Sequence, residues 1–232
     1  LERIRAEAAM TRAARERVID LAEEMDIAVI EDAAYQSLRF DGDAIPPILA
    51  LEAERRNGDL EACRTIYCGS FSKTLSPGLR VGWVCAAMPV ISQLVLMKQA
   101  ADLHSATLNQ IAVASVAEQH FDSHIDTIRN AYRARRDAML EALQAHMPDG
   151  VSWTKPEGGM FIWVTLPDTL DGADLLKQSL ESERVAFVPG HAFFADGSVR
   201  NTLRLSYSTS TEGKIAEGIE RLGQLITRVL NG

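Results

Sequence analysis

The sequence predicts an α/β protein. Three observations carry that expectation. Short apolar, β-branched runs alternate with longer stretches of helical periodicity, the early runs have the all-apolar pattern of strands covered on both faces, and polar clusters follow two of those runs directly. With 232 residues and 47% hydrophobic content, the chain is long enough for one large domain or two small ones.

The elements follow in order. An amphipathic helix leads in over 11–25, with Ala14, Val18, Leu21 and Ala22 at helical spacing. Residues 27–30 predict a strand buried on both faces. A polar stretch with Gly42, Pro46 and Pro47 separates it from a helix over 48–56. Residues 65–68 and 81–86 predict two further buried strands, with the turn-rich loop 69–78 between them. Helical patterns fill 90–147, with breaks expected near Ser105 and Asp122. Beyond them, 151–153 and 160–164 predict strands joined across a turn at 156–159. A helix over 173–183, strands near 185–188 and 202–206, and a helix over 211–230 complete the order. Ile215, Ile219, Leu222 and Ile226 fall on one face of that last helix. A boundary inside the long helical stretch divides the chain into domains at 1–125 and 126–232. No internal repeat is visible.

Charge and composition exclude several functions. Lys and Arg number 24 against 32 Asp and Glu, a net charge of −8, so binding to nucleic acid through phosphate neutralisation is not expected. The one basic run, 129–136, predicts a solvated helix face. Residues 1–24 mix both charges and lack the apolar core of a secretory signal. The apolar run 81–97 is interrupted by Pro89, Ser92 and Gln93, which argues against a membrane span. Cys63, Cys68 and Cys85 form no C-x-x-C pair and predict free thiols in a reducing, cytoplasmic compartment. His120 and His124 stand four apart, but Phe121 occupies the place where a zinc protease needs glutamate.

Ligands of an open parallel sheet bind beyond the carboxyl ends of its strands. Two polar clusters fall there: Glu31-Asp32-Ala-Ala-Tyr35 after the first strand, and Ser70-Phe-Ser72-Lys73 after the second, with Arg80 seven residues on. A lysine so placed forms a Schiff base with an aldehyde, a pyridine ring needs an acid at its nitrogen, and a phosphate needs hydroxyls and a guanidinium fork. Taken singly, each residue has a plainer reading. Asp32 is a turn cap, Lys73 a solvated loop residue, Tyr35 an edge aromatic, and Arg204 one half of a surface ion pair. Ser70-x-x-Lys73 also fits the serine β-lactamase signature, but neither S-D-N nor K-T-G occurs.

The segment Ser70-Phe-Ser-Lys-Thr-Leu-Ser-Pro-Gly-Leu-Arg-Val-Gly82 resembles the lysine loop of class I/II pyridoxal-phosphate aminotransferases. The segments Glu31-Asp-Ala-Ala-Tyr35, Pro156-Glu-Gly-Gly-Met-Phe161 and Asn201-Thr-Leu-Arg-Leu-Ser206 resemble that family's other landmarks, in order, from about Met10 to the end. The nearest group is the α-aminoadipate and kynurenine-type enzymes. The resemblance implies a mostly parallel large domain of pyridoxal-phosphate fold type I, represented by its carboxyl-terminal part, plus a small α/β carboxyl-terminal domain. It implies pyridoxal 5'-phosphate held covalently by Lys73, with Asp32 at the ring nitrogen, Tyr35 at the ring hydroxyl, and Ser70, Ser72 and Arg80 at the phosphate. It implies that Arg204 grips a substrate carboxylate, that substrates are an amino acid and a 2-oxo acid, and that the enzyme is a homodimer with broad or 2-aminoadipate-like specificity. The stretch 102–108 carries no arginine for a second substrate carboxylate.

The chain is shorter than family members. Residues 4–9 stand where an Asn-Pro-Thr-Gly segment belongs, so a fragment, an incompletely observed chain or a truncation is expected, with little turnover from 232 residues alone. The alternatives are a ligand-sensing aminotransferase-like domain of a transcription regulator, or an inactive remnant.

Overall fold

The computed structural model describes residues 10–232; the stretch 4–9, compared above with an Asn-Pro-Thr-Gly segment, lies outside them. The chain divides into two compact units, 10–128 and 129–232.

In the first unit, helix α1 (Arg12–Glu24) starts at Thr11, whose hydroxyl accepts the Ala14 N–H at 3.2 Å. Its inner face buries Ile19 against Ile48 and Leu51 of α2 (Ile48–Arg55), with Val18 and Val29 packed alongside. Strand β1 (Val29–Asp32) runs parallel to β2 (Thr65–Ser70), and β2 pairs antiparallel with β3 (Gly82–Cys85). The sheet of this unit is therefore mixed, with one parallel and one antiparallel pairing among the described residues.

The strands are not covered on both faces. Strand side chains alternate, so Val29 and Glu31 turn toward the helices while Ile30 and Asp32 turn away. Ile30 is 72% exposed, and Trp83 and Val84 of β3 are exposed as well. The first strand also begins later than its apolar run, at Val29, and ends on the acid Asp32.

Two carboxylates organise the helix side. Glu31 accepts the N–H groups of Ile48 and Leu49 at 3.0 and 3.3 Å, where α2 begins without a side-chain cap of its own. It also pairs with Arg15 at 3.4 Å, both side chains being at most one-tenth exposed. Glu52, only 1% exposed, accepts the Arg64 and Thr65 N–H groups at 2.8 and 3.0 Å and so fixes the start of β2.

Helix α3 (Met88–Ala101) is followed by a break at 102–106, where Leu103 adopts φ 64°. Helix α4 (Thr107–His146) then runs through Asp122 without the expected interruption. The hydroxyls of Ser123 and Thr127 donate to the carbonyls of His120 and Ser123, at 3.1 and 3.0 Å, and so do not compete with the helix for N–H groups. Among the described residues no helix is long and apolar enough to cross a membrane. All three cysteines are free, and burial raises the thiols of Cys63 and Cys68 above their ordinary values.

The second unit holds an antiparallel sheet in the order β4 (Ser152–Trp153), β5 (Phe161–Thr165), β7 (Thr202–Ser206), β6 (Val188–Pro189). Strand β6 is shorter than the apolar run suggests. Helix α5 (Gly172–Gln178) continues into a π-helical turn, Ser179–Glu183, and Val185 exchanges hydrogen bonds with Ser179 instead of with the sheet. Helix α6 (Glu212–Asn231) buries Ile215, Ile219, Leu222 and Ile226, the stripe that the spacing predicts. At Gly223 an added Cβ would collide with the His146 carbonyl, so the close approach of these two helices requires glycine there.

The basic run is not a purely solvated face. Arg136 is 9% exposed and donates to the Pro156 carbonyl at 2.8 Å, while Arg135 donates to the Ser208 carbonyl at 2.6 Å.

Candidate functional site

Each unit carries one part of the predicted residue set. In the first, the chain turns sharply as β2 ends. The Ser70 hydroxyl accepts the Ser72 N–H at 3.1 Å, and Thr74, 4% exposed, donates its hydroxyl to the Ser70 carbonyl at 3.5 Å. The Phe71 carbonyl accepts from Leu75 and Ser76, and the Phe71 ring meets Phe121 edge-on at 6.3 Å. These bonds hold Ser72 and Lys73 directly past the strand end. The half-buried Lys73 has no hydrogen-bond or ion-pair partner for its amine among the described residues.

Arg80 closes the loop in a left-handed conformation, φ 53°. For a residue with a Cβ that conformation costs about 1–2 kcal/mol, and such strain persists where the surroundings over-determine it. Its guanidinium lies 3.5 Å from the Ser72 hydroxyl and 3.2 Å from the Pro77 carbonyl. From α4, the Asn109 amide donates to the Leu79 carbonyl at 3.0 Å and ties the loop down. Sequence reasoning missed Asn109, and a contact across thirty residues leaves no local signal that could have found it.

Asp32 sits on the neighbouring strand, in register with Cys68 and thus close to the end of β2. It is exposed, and among the described residues its carboxylate accepts only the Ala34 N–H, at 3.4 Å. Tyr35 is half-buried and opens the single turn Gln36–Leu38. Beside the loop, the Trp83 ring lies against Gly69, where any Cβ would strike it, and stacks on Tyr67 with centroids 5.1 Å apart. Hydroxyls, a guanidinium and a free amine thus gather at one strand end, with a carboxylate on the strand beside it. Such a set suits a phosphate and a carbonyl carbon open to attack by an amine.

In the second unit, Arg204 stands mid-strand on β7, opposite Trp163 of β5 and Val188 of β6. Among the described residues it forms no surface ion pair. Its guanidinium carbon lies 4.0 Å from the centre of the Phe161 ring and 4.6 Å from that of Phe193. Its Nε is buried without a hydrogen-bond partner. A half-buried cation of this kind, with no ion pair among the described residues, has the chemistry to accept an anion.

The turn at 156–159 that leads into Phe161 is pinned from three sides. Arg136 holds the Pro156 carbonyl, the Tyr207 phenol donates to the Gly158 carbonyl at 3.3 Å, and the Tyr207 N–H donates to the Met160 carbonyl at 3.1 Å. Burial raises the Tyr207 phenol well above its ordinary value, so it stays protonated and keeps donating. Among the described residues no cluster of metal-ligating side chains occurs.

Known proteins share this arrangement of elements. The family described as aminotransferase class I and II matches residues 8–222. An aromatic-amino-acid aminotransferase of Thermococcus litoralis is 44% identical over 94% of the chain and 50% of its own length. The solved kynurenine aminotransferase of Pyrococcus horikoshii, in complex with PMP, superposes with a TM-score of 0.90 at 42% identity, over 98% of this chain and 54% of that one. The α-aminoadipate aminotransferase LysN of Thermus thermophilus, complexed with N-(5'-phosphopyridoxyl)-L-leucine, gives 0.88 at 42% identity, over 94% and 55%. The chain spans about half the length of the relatives it matches.

Proposed function

The chain belongs to the class I and II aminotransferase family, and from that premise we propose that it serves the pyridoxal-phosphate-dependent transfer of an amino group from an amino acid to a 2-oxo acid. Its fold is that of the family's fold type I enzymes. The observation that carries the reading is Lys73, an amine without a partner among the described residues, set between the Ser70–Ser72 turn and a strained arginine. The donor set fits the cofactor. Ser70, Ser72 and Arg80 would hold its phosphate, Asp32 its ring nitrogen and Tyr35 its ring hydroxyl. When bound, the cofactor supplies an electron-accepting ring that stabilises negative charge at a substrate carbon.

The chain's own residues do the rest. Lys73 would offer the nucleophilic amine that holds the cofactor, and the same amine would move a proton to and from the substrate α-carbon. Asp32 would favour a protonated ring nitrogen by placing negative charge beside it. Arg204 orients the substrate through its carboxylate, using a planar fork that ammonium cannot reproduce.

The relatives' names support broad or 2-aminoadipate-like specificity. The exposed apolar side chains of the first unit, among them Val95, Leu96 and Met97, support a homodimer, and three free cysteines support a cytoplasmic setting. A cofactor-binding domain over 1–125 and a small carboxyl-terminal domain over 126–232 belong to this reading, and the boundary between the described compact units, at 128/129, supports a division close to that point.

The test is covalent trapping. The protein is incubated with pyridoxal phosphate, reduced with borohydride and mapped by peptide mass. The expected label is on Lys73 and is absent from Lys73→Ala. A label on another lysine with Lys73 unmodified would overturn the assignment.

A further inference from the structure

We propose that Phe161 and Phe193 are positioning residues that hold the Arg204 guanidinium flat between two rings, so that only its outer edge is offered to a carboxylate. The proposal deepens the reading of Arg204 given above and rests on it. Bidentate pairing needs the guanidinium plane fixed, because two parallel N–H bonds must meet two oxygens at once. A single strand residue with several free side-chain torsions does not fix that plane by itself.

Here the two rings do. Both lie within cation–π distance of the guanidinium carbon, at 4.0 and 4.6 Å. The Nε is buried and unpartnered, which leaves the two Nη nitrogens to meet a carboxylate side by side. Neither ring is loose. Phe193 ends the short turn Gly190–Phe193 and meets the buried Trp163 ring edge-on at 5.6 Å. Phe161 opens β5, two residues after Gly159 at φ 82°, in the turn that Arg136 and Tyr207 pin. Gly190 belongs to the same support, since a Cβ there would run into the Thr202 hydroxyl and crowd Trp163.

The test is a binding titration of the full chain with 3-phenylpropanoate, an unreactive carboxylate, and with 2-phenylethylamine, which lacks one. Phe193→Leu should weaken 3-phenylpropanoate roughly five- to tenfold, the scale of one cation–π contact. Phe193→Tyr should restore it to within about twofold, because a stacking face returns. The amine should bind all forms alike. A second reading needs no phenylalanine variant. The Arg204 Nε–H resonance, assigned by its loss in Arg204→Gln, should lie upfield of the other arginine signals under the two ring currents. Phe193→Leu binding 3-phenylpropanoate as the wild type does, or an unshifted Arg204 signal, would overturn the clamp. Wild-type protein that ignores 3-phenylpropanoate, or Arg204→Gln that binds it unchanged, would instead overturn the carboxylate role of Arg204 itself.

Discussion

Glu31 and Asp32 are chemically near-identical neighbours with opposite employment. Glu31 faces inward, where it caps α2 and pairs with the buried Arg15; Asp32 faces out at the strand end with one weak backbone bond. Glu31→Gln should therefore cost about 2–4 kcal/mol, since it leaves a buried guanidinium uncompensated, while cofactor affinity changes little. Asp32→Asn should stay within about 0.5 kcal/mol of the wild type in stability, as exposed substitutions do, yet bind pyridoxal phosphate at least about tenfold more weakly. Urea unfolding and an absorbance titration of both variants check this, and the reverse pattern would refute it. The sequence shows both acids beside one apolar run, and the alternation of strand side chains already separates them. What it does not show is where the strand begins, and hence which acid faces the helices. Arg204 was legible in the sequence as part of the 201–206 motif; its ring partner Phe193 was not, because the two meet only through the fold.

Among the elements, α6 was readable from spacing alone, because an amphipathic helix on a sheet needs nothing but its own stripe. The end of α5 was not, because the π-helical turn depends on Ser179 and Val185 meeting across a bend. The start of α5 is set by charge. Asp171 accepts the Ala173 N–H at 2.7 Å and pairs with Arg200 at 3.1 Å, and these contacts hold its carboxyl below the usual value. A depressed carboxyl contributes stability above the unfolded value, near pH 4, and loses it as pH falls through the lower folded one. Asp171→Ala should therefore cost about 1 kcal/mol at neutral pH, and the gap between variant and wild type should close progressively below about pH 4. Denaturant unfolding across pH measures that gap. A gap of constant size would rule out the charged cap.

At the scale of the whole molecule, composition reports how much apolar surface exists but not which of it is covered. Ile30, Trp83, Met97 and Leu108 lie exposed although their runs look like core. The loop after β2 carries a second whole-molecule consequence, through Arg80 at φ 53°. Global stability is a single number to which that backbone angle contributes unfavourably. Arg80→Gly should exceed Arg80→Ala in unfolding free energy by about 1 kcal/mol, because glycine alone adopts the angle without strain. Both variants should lose phosphate affinity to a similar degree, since neither carries a guanidinium. Two objectives thus pull position 80 apart. A library randomised there and sorted only for resistance to heat should drift to glycine, while the same library sorted for retention of a phosphorylated ligand should return arginine. Glycine emerging from both sorts would mean that the strained arginine is an accident of the loop.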